Sequence, residues 1–297
     1  VKAALLVVLL AAASPVRAEL YCVVVAGLGG EPQYQEQFDA SAAALAQALS
    51  RGASAPSRVI RRSGNEATKA ELEKVFRGLQ RTLAPGDALA VFSIGHGSYD
   101  GEHYKFNLPG PDPTEEDWLK WLAPIRAKSQ LLVLATSASG GMIEPLLAPG
   151  RIVVTATRSG MERNATVFGR YFGDALADAA ADLDKNGWVS AREAFDQAQR
   201  AVAGHYAREV RIATEHARIE GDAAASFLLA RVGAERASAP SAAAPAELAR
   251  RTELRAAIDG LRKRKSELDE EKYFRSLEDL LVQLAELEDR VERGEAP

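Results

Sequence analysis

Two apolar runs end in residues that could do chemistry. Ala88-Leu-Ala-Val-Phe-Ser-Ile-Gly runs into His96-Gly97, and Leu131-Leu-Val-Leu-Ala-Thr runs into Ser137-Ala-Ser-Gly-Gly141. Residues at the carboxyl ends of adjacent parallel strands converge on one crevice, which would set His96 beside Ser137. That is the outline of a nucleophilic acyl-transfer site. Residue 137 would attack, His96 would assist it and protonate a leaving amine, and the Gly97 N–H would donate to the oxyanion. Glycine suits that last place because it lets the backbone approach a substrate carbonyl. The hydroxyl is the weak member. A thiol, with a pKa of about 8.5, supplies some thiolate at neutral pH. An alcohol supplies essentially none and needs a base in direct hydrogen-bond contact, itself oriented by a third group. No acid adjoins His96 in sequence; Asp100 and Glu102, in the loop that follows, are the nearest candidates to orient it.

A second constellation is more specific. Asp182-Leu-Asp184-Lys-Asn186-Gly187-Trp188-Val-Ser190-Ala-Arg-Glu193 fits the twelve-position EF-hand loop. Oxygen ligands fall at positions 1, 3, 5 and 9, glycine at 6 and glutamate at 12, while Trp188 at position 7 offers only its carbonyl. The expected ion is Ca2+ in a structural role, since sensor hands usually come in pairs. The alternative is a metal-free turn in which Asp182 and Asp184 cap a helix.

These groups need a scaffold. Short apolar runs at 20–26, 57–62, 88–94, 131–135 and 151–156 lack clean alternation, as expected of strands covered on both faces. Helical patterns near 37–50, 67–83 and 114–125 lie between them, and others flank the Asp182 loop. Strand-helix alternation predicts an α/β fold with a mostly parallel sheet sandwiched by helices. Residues 233–246 are an Ala/Pro/Ser linker. Beyond it, 247–297 carry two apolar stripes, Leu254, Ile258, Leu261 and Leu268, then Phe274, Leu277, Leu281, Leu284 and Val291. The first stretch is basic and the second acidic, which favours a helical hairpin; one long coiled-coil helix, making a homo-oligomer, is the rival.

Taken together, Gly95-His96-Gly97-Ser98, Ser139-Gly140-Gly141-Met142-Ile143-Glu144 and the opening Val25-Ala26-Gly27 through Gly30 resemble caspase-like cysteine peptidases, the legumain family most closely. The likeness spans about 20–230 and implies a caspase-like fold in a bacterial, exported member. It also implies that Ser137 stands where the family has its nucleophilic cysteine. Ala135 replaces an acidic residue two positions earlier. Where legumains show Asn-Tyr-Arg-His-Gln-x-Asp, this chain reads Gln33-Tyr34-Gln35-Glu36-Gln37-Phe38-Asp39, so Gln33 and Gln35 replace a catalytic asparagine and a substrate-reading arginine. Arg158 falls where the family builds its specificity pocket; a surface ion pair with Glu162 is an equal alternative. The resemblance implies a degenerate peptidase that binds a peptide or protein partner, with an active peptidase or esterase using Ser137 and His96 as the alternative. A third reading puts the working part in the tail.

The remaining composition sets limits. The chain has 297 residues and a net charge of −4, which argues against nucleic acid as a partner. Residues 1–18 read as a cleaved secretory signal, with Lys2, the apolar run Ala3–Ala13 and Val16-Arg17-Ala18, so a periplasmic or secreted protein of 19–232 plus tail is expected, with no membrane span. The single cysteine, Cys22, can form no internal disulfide and reads as a buried strand thiol. His103 and His216 read as surface residues, and His205 falls in a predicted helix with no partner pattern.

Overall fold

The computed structural model describes residues 18–52 and 58–232, and in the tail residues 250, 253–254, 257–258, 260–261, 264–265 and 269–293. The expected signal, apart from Ala18, and the linker 233–246 lie outside the described residues. The chain divides into two compact units, Val1–Gly233 and Ala234–Pro297.

The first unit is built on the elements β1 (Leu20–Ala26), α1 (Pro32–Gly52), β2 (Val59–Arg62), α2 (Lys69–Thr82) and β3 (Ala88–Gly95), followed by a small hairpin, β4 (Gly97–Tyr99) and β5 (Tyr104–Phe106). Then come α3 (Glu115–Leu122), β6 (Ser129–Thr136), α4 (Ile143–Leu146), β7 (Arg151–Thr155), α5 (Phe168–Ala177), β8 (Trp188–Ser190), α6 (Ala191–Arg208), β9 (Arg218–Glu220) and β10 (Leu228–Arg231). The six-stranded sheet has the order β2-β1-β3-β6-β7-β9. Its first five strands are parallel, and only β9 runs antiparallel, against β7. The α/β sandwich with a mostly parallel sheet is therefore as the sequence predicts.

Two cores follow from the period-2 alternation of strand side chains. Cys22, Val24, Phe92, Ile94, Val133 and Ala135 face α1, α5 and α6. Tyr21, Val23, Leu89, Val91, Leu132 and Leu134 face α2, α3 and β5. Both faces are covered, which is why the strands read as continuous apolar runs. Burial pushes the Cys22 thiol up to about 12, so it is protonated and inert at neutral pH. Helix ends are fixed by side chains: Thr68 accepts the Glu71 N–H at the start of α2, and Thr114 and Asp117 form a capping box on α3.

In the second unit, α7 (Glu270–Arg293) buries Tyr273 and Leu287 and half-buries Leu277, Leu280 and Leu284, a 4-3-4-3 spacing. Phe274 and Leu281, expected in this stripe, point outward at 50% and 44% exposure. The face is rotated by one residue because two apolar rows lie side by side on this helix and Tyr273 starts the longer one. The Arg250 guanidinium donates to Gln283 Oε1 at 3.2 Å, and Lys265 Nζ lies 5.5 Å from the Tyr273 ring centroid. These contacts are those of two helical stretches folded back on each other. Among the described residues no helix is long and apolar enough to cross a membrane.

Candidate functional site

The sheet brings the two sequence-marked ends together. β3 and β6 are hydrogen-bonded neighbours with Gly95 opposite Thr136. A Cβ on Gly97 would stand 2.5 Å from the Ser137 carbonyl oxygen and 2.7 Å from Tyr104 Oη, so glycine is required there by close approach. His96, Gly97 and Ser137 thus sit at one edge of the sheet, as their spacing implies.

Their chemistry does not connect. Ser137 is 2% exposed, and its Oγ has no hydrogen-bond partner among the described residues. His96 is turned to α1. Its ring meets Tyr34 and Phe38 edge-on, with centroids 4.9 and 5.0 Å away. Burial holds its pKa below the ordinary histidine value, opposed in part by the nearby Gly29 backbone and by the Glu31 charge. Neither expected orienting acid reaches it: Asp100 Oδ1 accepts the Glu102 and His103 N–H groups at 3.0 and 2.8 Å. A depressed pKa means the neutral ring is favoured by folding, so this contribution is present above the unfolded pKa and is lost as pH falls through the folded one. The imidazole signals of His96 followed by NMR should therefore titrate below the usual histidine range; a midpoint at or above about 6.5 would contradict the burial seen here.

The space around this edge is filled by the chain itself. Tyr104, on β5, is buried with its hydroxyl 2.5 Å from Thr136 Oγ1, and burial raises its pKa. Tyr99, on β4, lies against Gly141 and Gly160; a Cβ on Gly160 would come within 2.2 Å of that ring. Neither tyrosine was singled out from the sequence. The signal was available: Tyr99 and Tyr104 flank Asp100-Gly101, a hairpin-type dipeptide.

The residues after Ser137 are fixed by the segment that follows β7. Ala138, in the left-handed region at φ 56°, donates its N–H to the Glu162 carbonyl at 2.8 Å. Ser139 Oγ accepts the N–H groups of Ala156 and Thr157, and Gly140 N donates to Thr157 Oγ1 at 2.8 Å. The Ser-Gly of this turn is thus a structural clamp.

The expected pocket residues take other places. Gln33 is exposed on the first turn of α1. Gln35 clasps the β1–α1 loop: its Oε1 accepts the Gly29 N–H at 2.9 Å and its Nε2 donates to Asp39 Oδ1 at 3.2 Å. Ala135 is buried in the core against Gly169, not in a pocket. Arg158 is exposed and ion-paired with Glu162 at 2.9 Å, and the same carboxylate accepts from His216 Nδ1 at 2.7 Å.

The acidic loop keeps its geometry. Carboxylate oxygens of Asp182, Asp184 and Glu193 lie within 4.8 Å of one another. Asp182 accepts the Asn186 and Gly187 N–H groups, and Asn186 Oδ1 accepts that of Trp188. Lys185 and Gly187 have φ of 56° and 84°. The helix is capped by Ser190 and Glu193, not by Asp182 or Asp184. Burial raises the Asp182 pKa, and the charges of Asp184 and Glu193 add to it. Such a concentration of oxygen donors suits a hard cation. β8, inside this loop, pairs with β10 of the same unit, Trp188 opposite Arg231.

No protein-family model and no curated protein matches the chain. Among solved structures it is similar to the Drosophila initiator caspase Dronc, 12% identical over 68% of this chain and 78% of that one, with a TM-score of 0.41. It is also similar to caspase-1 from Spodoptera frugiperda, 11% identical over 73% and 93% of the two chains, with a TM-score of 0.47.

Proposed function

We propose that this chain is an exported, peptidase-related protein of caspase and legumain type that does not hydrolyse, and that it works as a peptide- or protein-binding module. The observation that carries this reading is the Ser137 hydroxyl, buried and without a hydrogen-bond partner among the described residues. A serine nucleophile needs a base within about 3.2 Å, and the His96 ring packs elsewhere, against Tyr34 and Phe38 of α1. Among the described residues no carboxylate is hydrogen-bonded to that histidine, and the rings of Tyr99 and Tyr104 pack against Gly141, Gly160 and Gly97 beside Ser137. The reading is tested by incubating the protein with a mixed peptide library and sequencing the products by mass spectrometry. No cleavage above that of the Ser137→Ala variant is expected; cleavage that the variant lacks would support the hydrolase instead.

The loop of Asp182, Asp184, Asn186, Trp188, Ser190 and Glu193 is proposed to hold Ca2+ structurally, clamping α5, α6 and the β8–β10 pair. Binding to the folded state alone stabilises by about 2.7 kcal/mol at a hundredfold excess over Kd. Millimolar Ca2+ should therefore raise Tm by several degrees, reversibly with chelator, and Asp184→Asn should reduce the shift. An unchanged Tm would count against the ion.

A further inference from the structure

A groove of about 430 Å³ lies between β2 and α2 and reaches Tyr21 of β1, well away in sequence from Ser137. Its floor is apolar, from Tyr21, Ile60, Val75 and Leu79. Three cations, Arg58, Arg62 and Lys74, line it against one carboxylate, Glu71. The protein as a whole is acidic, so this is a local reversal of charge. Arg58 is held by Glu19 at 2.7 Å and stacks 4.6 Å above the Tyr21 ring, and Lys74 pairs with Glu71 at 2.5 Å. Arg62 donates only to the Arg61 carbonyl and makes no ion pair among the described residues.

Two further observations bear on the groove. β2 is the end strand of the sheet and, among the described residues, pairs only with β1. Its outer N–H and C=O groups are a template for another strand. Gly78 lies inside α2 and lines the groove, yet a Cβ there would meet nothing within 4 Å. Packing does not require glycine at that place, and glycine is the poorest helix former after proline. What its missing side chain does provide is open width beside the strand.

Arg58, Ile60 and Arg62 lie two residues apart and line the same groove, giving the order cation, apolar, cation. We propose that the β2–α2 groove binds an extended acidic peptide segment, which adds to the sheet as a strand and sets an acidic–x–apolar–x–acidic row against Arg58, Ile60 and Arg62. Main-chain bonds to β2 supply affinity, and the alternating side chains supply selectivity. The pattern reads the same in both directions, so it suits a parallel or an antiparallel strand. This locates the binding surface that the proposed function leaves open. Ser137 takes no part in it, so the outcome of the cleavage experiment and the outcome of this one are independent.

The test uses the full chain and a fluorescein-labelled peptide, Thr-Glu-Thr-Ile-Thr-Glu-Thr, followed by anisotropy. Binding should be at least about tenfold tighter than that of the same peptide with lysine for glutamate. Arg62→Glu should reverse much of that preference. Gly78→Phe should abolish binding with no fall in Tm, because the side chain enters the groove while helix propensity improves. Hydrogen exchange at the β2 amides should slow in the complex. Equal binding of the two peptides, or binding untouched by both Gly78→Phe and Arg62→Glu, would overturn the proposal. So would uptake of laurate with no peptide binding, which would make the groove a site for anionic amphiphiles.

Discussion

Gly140→Ala should lower stability by about 3 kcal/mol and loosen the turn after Ser137. A Cβ at this position would stand 2.1 Å from the Ser159 nitrogen and 2.4 Å from the Arg158 carbonyl carbon. Both are backbone atoms, so no side-chain rotation relieves the contact. The turn would have to leave the segment after β7, breaking the bonds from Gly140 to Thr157 and from Ala138 to Glu162. Chemical denaturation checks this, and a midpoint within error of the parent would mean the turn yields without cost. Gly141→Ala is the milder comparison, since its Cβ would meet the Tyr99 ring only at 3.0 Å.

Removal of the Glu215 carboxylate is the second large effect. Glu215 is buried between the end of α6 and β9, and it accepts the Val167 and Phe168 N–H groups at 2.8 and 3.1 Å and the Tyr206 hydroxyl at 3.1 Å. It therefore caps the start of α5 from a distant part of the chain. Glu215→Ala leaves buried donors without a partner and should cost about 3 kcal/mol. Burial is the main cause that raises its pKa; the Val167, Phe168 and Tyr206 bonds oppose this, and the Glu162 charge adds to it. For an acid whose folded pKa is raised, the neutral form is favoured by folding. That contribution is full below the unfolded pKa and is lost as pH rises through the folded one. Glu215→Gln should thus flatten the pH dependence of stability just above the ordinary carboxylate range. A parallel pH profile in the two proteins would contradict the burial of this charge.

Much of the scaffold could be read because its strands are covered on both faces. The runs 20–26, 88–94 and 131–135 correspond to β1, β3 and β6 within two residues at either end. Helix α1 begins at Pro32, six residues before Phe38, the first apolar position of its pattern; proline at a first helical turn was the signal that periodicity alone passes over. Strands β9 and β10 have three and four residues, too few for any period to show. In the site, spacing placed His96, Gly97 and Ser137 at one edge. It did not show that His96 packs on Tyr34 and Phe38, since these lie on α1 and meet it only in the folded chain. Gln35 and Ser139 were marked by position, but what they hold is backbone: the Gly29 N–H for one and the end of β7 for the other. Such roles depend on which loop end a side chain reaches, and a linear pattern does not carry that information.

The Ser137 hydroxyl is buried and, among the described residues, has no hydrogen-bonded base. A fluorophosphonate probe addresses this directly, with site-resolved mass spectrometry of the native protein. The account predicts no adduct on the peptide that contains Ser137. Stoichiometric labelling at that residue, lost in Ser137→Ala and in His96→Ala, would contradict it.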